Sequence, residues 1–357
     1  MRQGRSTYVF PGSNTPLGFQ SFYRQGLKGL ENVFILKGSP GSGKSTLIRK
    51  IGIAMLERGY DIEFWQCTAD NESLDGIVIK SLSTAIVDGT APHAIDPAYP
   101  GAVDEIINLG EHWSAQNLRR QKQAIIQLSD DIADMYESAK EDLSTMGIAA
   151  VDAYQHGEAA VDKNKLKLKT GQLLSELFSP AGAAPRHLFA SAVTPRGLIS
   201  FADALSKPYP RRYILNGPPG CGKEQLLQTV ADAALERGVG TEIFHNALSP
   251  QYIEVILLPE LGIALADLFL CPRESRPGDI TIDFNELSAD GQEADLPLLR
   301  RRLTELADIA AVKLNEAKSL HDKLESCYNQ AMDFEAIDLT GKRLFNRILT
   351  IAAEKEN

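Results

Sequence analysis

The chain has 357 residues, 43% hydrophobic and 24% charged, with a formal net charge of −10. That is enough globular material for two ordinary domains, and the acidic balance argues against a broad footprint for nucleic acid or an anionic membrane. No stretch approaches the ~20 apolar residues of a membrane span, the start MRQGRSTYVF lacks a signal-peptide core, and the four cysteines form no C-x-x-C pair, so a cytoplasmic protein without a zinc site or disulfide framework is expected.

Residues 7–22 read as a short strand leading into Thr15-Pro16-Leu17-Gly18. Val33, Phe34, Ile35 and Leu36 then form an apolar run of the kind found in buried parallel strands. The run breaks into Gly38-Ser39-Pro40-Gly41-Ser42-Gly43-Lys44-Ser45-Thr46, which fits G-x-x-x-x-G-K-[ST] without a mismatch. A helical pattern follows, with Leu47, Ile48, Ile51, Ala54 and Met55 on one face and Gly59 at the expected C-cap. Glycines at 38, 41 and 43 let backbone N–H groups turn inward around an anion, and the helix N-terminus adds partial positive charge. In this pattern Lys44 reaches the β- and γ-phosphates and the Ser45 hydroxyl ligates Mg²⁺. A nucleoside triphosphate is therefore assigned to residues 38–46.

A second strand is expected over Asp61 to Cys67, followed by two short apolar runs between Gly76 and Asp88. The later run, Ala85-Ile86-Val87-Asp88, has the shape of a Walker B strand, whose aspartate holds the metal shell. Asp88 is thus a candidate catalytic and metal-site residue, although any buried strand ending in a turn aspartate looks the same. The next loop carries His93 and Asp96 between prolines. It lies where open α/β sheets place ligands, which makes both residues candidates for contact with phosphate, substrate or attacking water. A rigid loop whose histidine caps a turn explains the same residues equally well.

From 113 to 178 the pattern is of long helices, with a break near Thr145-Met146-Gly147 that suggests an antiparallel hairpin. Residues 179–185, with alanines and prolines, read as a linker. Beyond it the sequence repeats at an offset of 179 residues: Phe10 matches Phe189, Thr15-Pro16 matches Thr194-Pro195, Lys44 matches Lys223, and Leu56-Glu57-Arg58-Gly59 matches Leu235-Glu236-Arg237-Gly238. A fixed register through two glycine loops marks a tandem duplication. The expected architecture is α/β: a duplicated P-loop NTPase, each parallel sheet flanked by helices and followed by a helical hairpin. Its boundaries are 1–112 (first core), 113–178 (hairpin), 186–294 (second core) and 295–357 (C-terminal hairpin).

The second loop, Gly217-Pro218-Pro219-Gly220-Cys221-Gly222-Lys223-Glu224-Gln225, keeps the glycines and the lysine but replaces the metal-binding hydroxyl with Glu224. A carboxylate there adds negative charge beside the phosphates. The second site is expected to be degenerate; the alternative is a working site with Glu224 as an unusual metal ligand.

GSPGSGKST, the segment Ile86 to Gly110 (IVDGTAPHAIDP followed by YPGAVDEIINLG) and the duplicated layout together resemble a bacterial family of tandem two-P-loop ATP-binding proteins, ATPase-like or nucleotide-kinase-like. The resemblance covers nearly the whole chain. It implies ATP binding in a P-loop fold and names no substrate. The favoured expectation is a Mg²⁺-dependent ATP hydrolase with one competent site. A kinase using the Asp88–Asp96 loop, and a nucleotide-gated binding protein whose hairpins engage a partner, stand as alternatives.

Overall fold

The computed structural model describes residues 3–91, 94–177, 185–272, 276–287 and 295–356. The first repeat comprises β1 (Ser6–Val9), β2 (Gly12–Thr15), β3 (Gly18–Ser21), α1 (Tyr23–Gly26), β4 (Asn32–Lys37), α2 (Lys44–Glu57), β5 (Ile62–Gln66), β6 (Leu74–Ile79), β7 (Thr84–Asp88) and β8 (Asp104–Asn108). Helices α3 (Ala115–Arg120), α4 (Lys122–Ala160) and α5 (Lys163–Leu177) follow. The second repeat comprises β9 (Arg186–Phe189), β10 (Ser191–Thr194), β11 (Gly197–Ser200), α6 (Ala202–Ser206), β12 (Arg211–Asn216), α7 (Lys223–Glu236), β13 (Glu242–His245), β14 (Ile253–Leu258), β15 (Ile263–Asp267) and β16 (Asp279–Asp283), then α8 (Leu296–Asn329) and α9 (Phe334–Glu356). Among the described residues no helix is long and apolar enough to cross a membrane.

The repeat holds at the level of topology. One six-stranded sheet runs β1-β5-β6-β7-β4-β8 and the other runs β9-β13-β14-β15-β12-β16. Neither is the all-parallel sheet expected from sequence. β6 lies antiparallel to β5 and β7, and β14 lies antiparallel to β13 and β15. The reason is chain length: β6 and β7 are separated only by residues 80–83, whereas a parallel crossover needs a dozen residues or more. The turn closes through Ser83, a non-glycine residue at φ 48°.

Contacts divide the chain into two compact units that do not follow the sequence order. Unit 1 gathers Met1–Pro11, Leu27–Ala139 and Val312–Asn357; unit 2 gathers Gly12–Gly26 and Lys140–Ala311. In unit 1 the core joins Phe34, Leu36, Ile48, Ile51, Met55, Ile77 and Ile86 to Leu344 and Ile348 of α9. In unit 2 the matching core joins Tyr213, Leu215, Leu226, Val230, Ile256 and Leu265 to Leu173 and Leu177 of α5. Each such side chain contributes about 1.5–3 kcal/mol on burial. Helix α9 thus completes the core of the unit holding the first glycine loop, and α5 completes that of the unit holding the second.

Unit 2 also holds a four-stranded sheet, β11-β10-β2-β3. There Asn14 pairs with Val193, its own counterpart in the repeat. The helix break expected at Thr145–Gly147 does not exist: α4 runs unbroken to Ala160, and the turn falls at 161–162. Gly147 is there for space, since a Cβ on it would lie 2.3 Å from the Pro16 side chain. The proposed linker lies outside the described residues, except Pro185.

The edge of unit 2 contains a half-buried histidine pair. Pro250 O accepts from Nδ1 of His245 at 2.8 Å, so Nε2 of His245 is left to accept from Nδ1 of His187 at 2.9 Å. The Phe22 ring stacks on His245 with centroids 4.6 Å apart. Burial, then the neighbouring His187, lowers His245 to about 4. Its contribution to stability is present above the unfolded value of ~6.5 and is lost as pH falls from there to about 4, roughly 3 kcal/mol at most. Denaturant midpoints measured from pH 7 to 4 should fall steeply in the wild type and less steeply in His245→Gln. Equal slopes would place the acid-sensitive group elsewhere.

Candidate functional site

The first glycine loop joins β4 to α2. Gly41 and Gly43 adopt φ of 70° and 82°, a region that side-chain-bearing residues rarely enter. Gly43 is the residue from which α2 starts, so the first turn of α2 opens onto the loop with unpaired N–H groups. Lys44, 7% exposed, folds back over the loop. Its ammonium donates to Ser39 O at 2.8 Å and Gly38 O at 3.1 Å and lies 3.6 Å from Asp88 Oδ2. The parallel register of β4 and β7, Leu36 beside Asp88, brings the carboxylate there.

The remaining predicted residues fall as follows. Asp88 Oδ1 accepts from Thr90 N at 2.9 Å and from its hydroxyl at 2.5 Å. Ser45 Oγ accepts from Leu74 N at 2.9 Å. Ser39 Oγ is buried without a partner, Ser42 is buried, Pro40 is half-buried and Thr46 is exposed. Asp96, with an 82% exposed side chain, pairs instead with Lys37 at 3.3 Å, whose ammonium also donates to Gly89 O and Ile95 O, each at 2.7 Å. His93 lies outside the described residues.

The second loop has the same backbone with a different electrostatic solution. Gly217, Gly220 and Gly222 all have positive φ. Lys223 is fully buried, donates to Gly217 O at 2.7 Å and pairs with Asp267 Oδ2 at 2.9 Å. Burial, the largest effect, would lower this lysine, but Asp267, Cys221 and Glu224 together outweigh it and hold the ammonium above its ordinary value. Glu224 turns its carboxyl into the loop: Oε1 accepts from Gly220 N at 3.1 Å, while Oε2 is buried without a partner. Burial, opposed by Lys223 and reinforced by Asp267, raises Glu224 above the usual carboxylate range. Cys221 is pushed up to about 12 by burial, so its thiol is not a poised nucleophile. Gln225 reaches Glu158 Oε1 at 3.4 Å. A cavity of about 240 Å³ lined by Asn216, Asp267, Phe269, Thr281 and Arg300 leaves a mouth at Asp267, although the lysine is sealed.

Helical hairpins lie directly on both loops, a contact that no local sequence pattern announces. In unit 1, a Cβ on Gly41 would meet Asn329 Oδ1 at 2.6 Å and Glu325 O at 2.8 Å, and one on Gly43 would meet Ile337 and Phe334 at 3.7 and 3.8 Å. In unit 2, a Cβ on Gly220 would meet Tyr154 O at 2.0 Å, one on Gly157 would meet Pro219 O at 2.0 Å, and one on Gly222 would meet Leu166 at 2.8 Å.

Chemically, the first loop offers two glycines in the left-handed region, one lysine bonded to loop carbonyls and 3.6 Å from a carboxylate, and a hydroxyl. That set suits a polyphosphate with a hard divalent cation. Among the described residues no group of three or more His, Cys, Asp or Glu is placed to hold a metal ion; Mg²⁺ needs few protein ligands when phosphates supply the rest. At the second loop the Gly220 N–H and the lysine are both already engaged by carboxylates of the chain. No family model matches the chain, and neither the curated proteins nor the solved structures yield a match.

A buried, half-satisfied carboxyl with a raised pKa costs stability once it must ionise. Its stabilising contribution is complete below the unfolded value of ~4.5 and is lost as pH rises. Glu224→Gln keeps the acceptor for Gly220 N and cannot ionise. It should match or exceed wild-type stability at pH 7, with the advantage shrinking as pH falls toward ~4.5 and constant below it. A pH-independent difference in denaturant midpoint between the two proteins would show that Glu224 carries no such strain.

Proposed function

We propose that the first loop binds ATP with Mg²⁺ and that the protein hydrolyses it, in a P-loop NTPase fold of which the second copy is degenerate. The observation that carries this reading is Lys44 poised at the loop, bonded to Gly38 O and Ser39 O and 3.6 Å from Asp88. Neutral carbonyls are weak competitors for an ammonium. Phosphate oxygens form charge-assisted bonds about twice as strong, so Lys44 exchanges them readily. The loop N–H groups and the start of α2 supply the rest of the anion cradle. The resemblance to tandem two-P-loop ATP-binding proteins supports the same reading.

In the hydrolytic step water attacks the γ-phosphorus and the bond to the β–γ bridging oxygen breaks, releasing ADP, inorganic phosphate and a proton. Lys44 neutralises charge on the β- and γ-oxygens, the backbone cradle holds them in line, and Ser45 and Asp88 are the residues that would hold the metal. When bound, Mg²⁺ offsets the charge developing between the β- and γ-phosphates. Hydrolysis is favoured over transfer to an acceptor because the chain shows no second-substrate motif beyond the one loop that carries Asp96, whose exposed carboxylate pairs with Lys37. The cradle of the second loop is filled by Glu224, so that loop serves as a structural seat.

Calorimetric titration with Mg–ATP and steady-state phosphate release test this. Lys44→Ala should weaken ATP binding by roughly tenfold to a hundredfold, the cost of losing charge-assisted bonds. Asp88→Asn should leave thermal unfolding unchanged but blunt the magnesium dependence of turnover. Wild-type affinity in Lys44→Ala would move binding to the second loop. Phosphate transfer seen only with an added metabolite would make the protein a kinase.

A further inference from the structure

We propose that the turn between α8 and α9 is the base-recognition wall of the first site, and that Asn329 selects adenine there. The inference rests on the nucleotide reading above. Asn329 Oδ1 lies 2.6 Å from the position a Cβ on Gly41 would take, so its amide stands immediately beside the phosphate cradle. The residue is exposed, and its side chain makes no hydrogen bond to a described residue. An amide presents one donor and one acceptor. Adenine matches it with N7 as acceptor and the N6 amino group as donor, whereas guanine offers two acceptors on the same edge.

Two exposed aromatic side chains belong to the same end of the unit, one at the start of α9 and one against the residues of the turn. Phe334 is 45% exposed, and its ring approaches Gly43 to 3.8 Å measured from a built Cβ. Trp113 is 39% exposed, lies against Gly110 and Tyr328, with ring centroids 6.4 Å apart, and bridges to Met332 of the same turn. Large exposed aromatics beside an anion cradle are what a nucleobase stacks on. Among the described residues, the aromatics at the second loop, Tyr154, Phe269 and Phe284, are all buried.

The test uses the full-length protein and three probes: Mg–ATP, Mg–GTP and Mg–tripolyphosphate, which has phosphates but no base. Trp113 fluorescence reports binding, since Trp65 is fully buried; calorimetry supplies affinities for all three. The wild type should prefer ATP over GTP by at least tenfold. Asn329→Ala should erase that preference, and Phe334→Ala should weaken both nucleotides about tenfold. Neither substitution should change tripolyphosphate affinity. A preference that survives Asn329→Ala, or tripolyphosphate binding that falls in parallel with ATP, overturns the proposal, the second result showing that the turn only shapes the loop. If neither ATP nor tripolyphosphate binds the wild type, the nucleotide reading itself fails.

Discussion

A helix backbone can lie on a glycine loop only because the glycines have no side chain, and both halves of this protein are built on that contact. At the second loop the approach is tightest. Gly220 and Gly157 face each other's backbones with no room for a Cβ on either side, the nearest carbonyl oxygens lying 2.0 Å from where one would be. At the first loop the helix backbone is less close, with Glu325 O at 2.8 Å from the Cβ position of Gly41. This explains how the second loop can keep its full glycine pattern after losing the hydroxyl that magnesium requires. Its glycines are held by packing, independently of any phosphate, and a motif match reads both causes alike.

The same backbone supports two electrostatic states because one residue differs. With serine after the lysine, the Ser45 hydroxyl takes the Leu74 N–H and the loop interior stays uncommitted. With glutamate there, the side chain is long enough to return to Gly220 N. The chain thus carries its own anion in the second cradle. Lys223 follows suit: it is fully buried and only 2.9 Å from Asp267, whereas Lys44 keeps some exposure and stands 3.6 Å from Asp88. Separating a buried ion pair costs about 3–5 kcal/mol when one partner is left alone. An incoming phosphate would have to compensate for that at the second site and for much less at the first.

Much of this was legible in the residues. The strand Val33–Leu36, the loop, α2 with its Gly59 terminus, and the 179-residue repeat follow from local patterns, as does the juxtaposition of Lys44 with the aspartate ending β7. Strand direction was misread because apolar runs look the same in either direction; the short connection before Ser83 was the available clue. Gly147 was taken for a helix break, since glycine lowers helix propensity, but the cost is accepted to let Pro16 approach. The partners of the loops, Asn329 and Tyr154 among them, were illegible for a different reason. They arrive from distant sequence, and no periodicity within a helix says which loop its end will meet.

That distance has consequences for how the chain folds. The unit 1 core joins Phe34 and Ile51 to Leu344 and Ile348, so the first repeat cannot close its own core until the last helix exists. Unit 2 draws only on residues 12–26 and 140–311. During synthesis from the N-terminus, unit 2 therefore has all of its segments before unit 1 does, although the first glycine loop is made earlier. Contacts of such long sequence separation slow folding, because loop-closure entropy is lost before the contacts form. Until α9 arrives, Leu47 of α2, on which Gly341 packs, has no helix to cover it. The order of completion is thus the reverse of the order of translation, and it follows from the exchange of helices between the repeats.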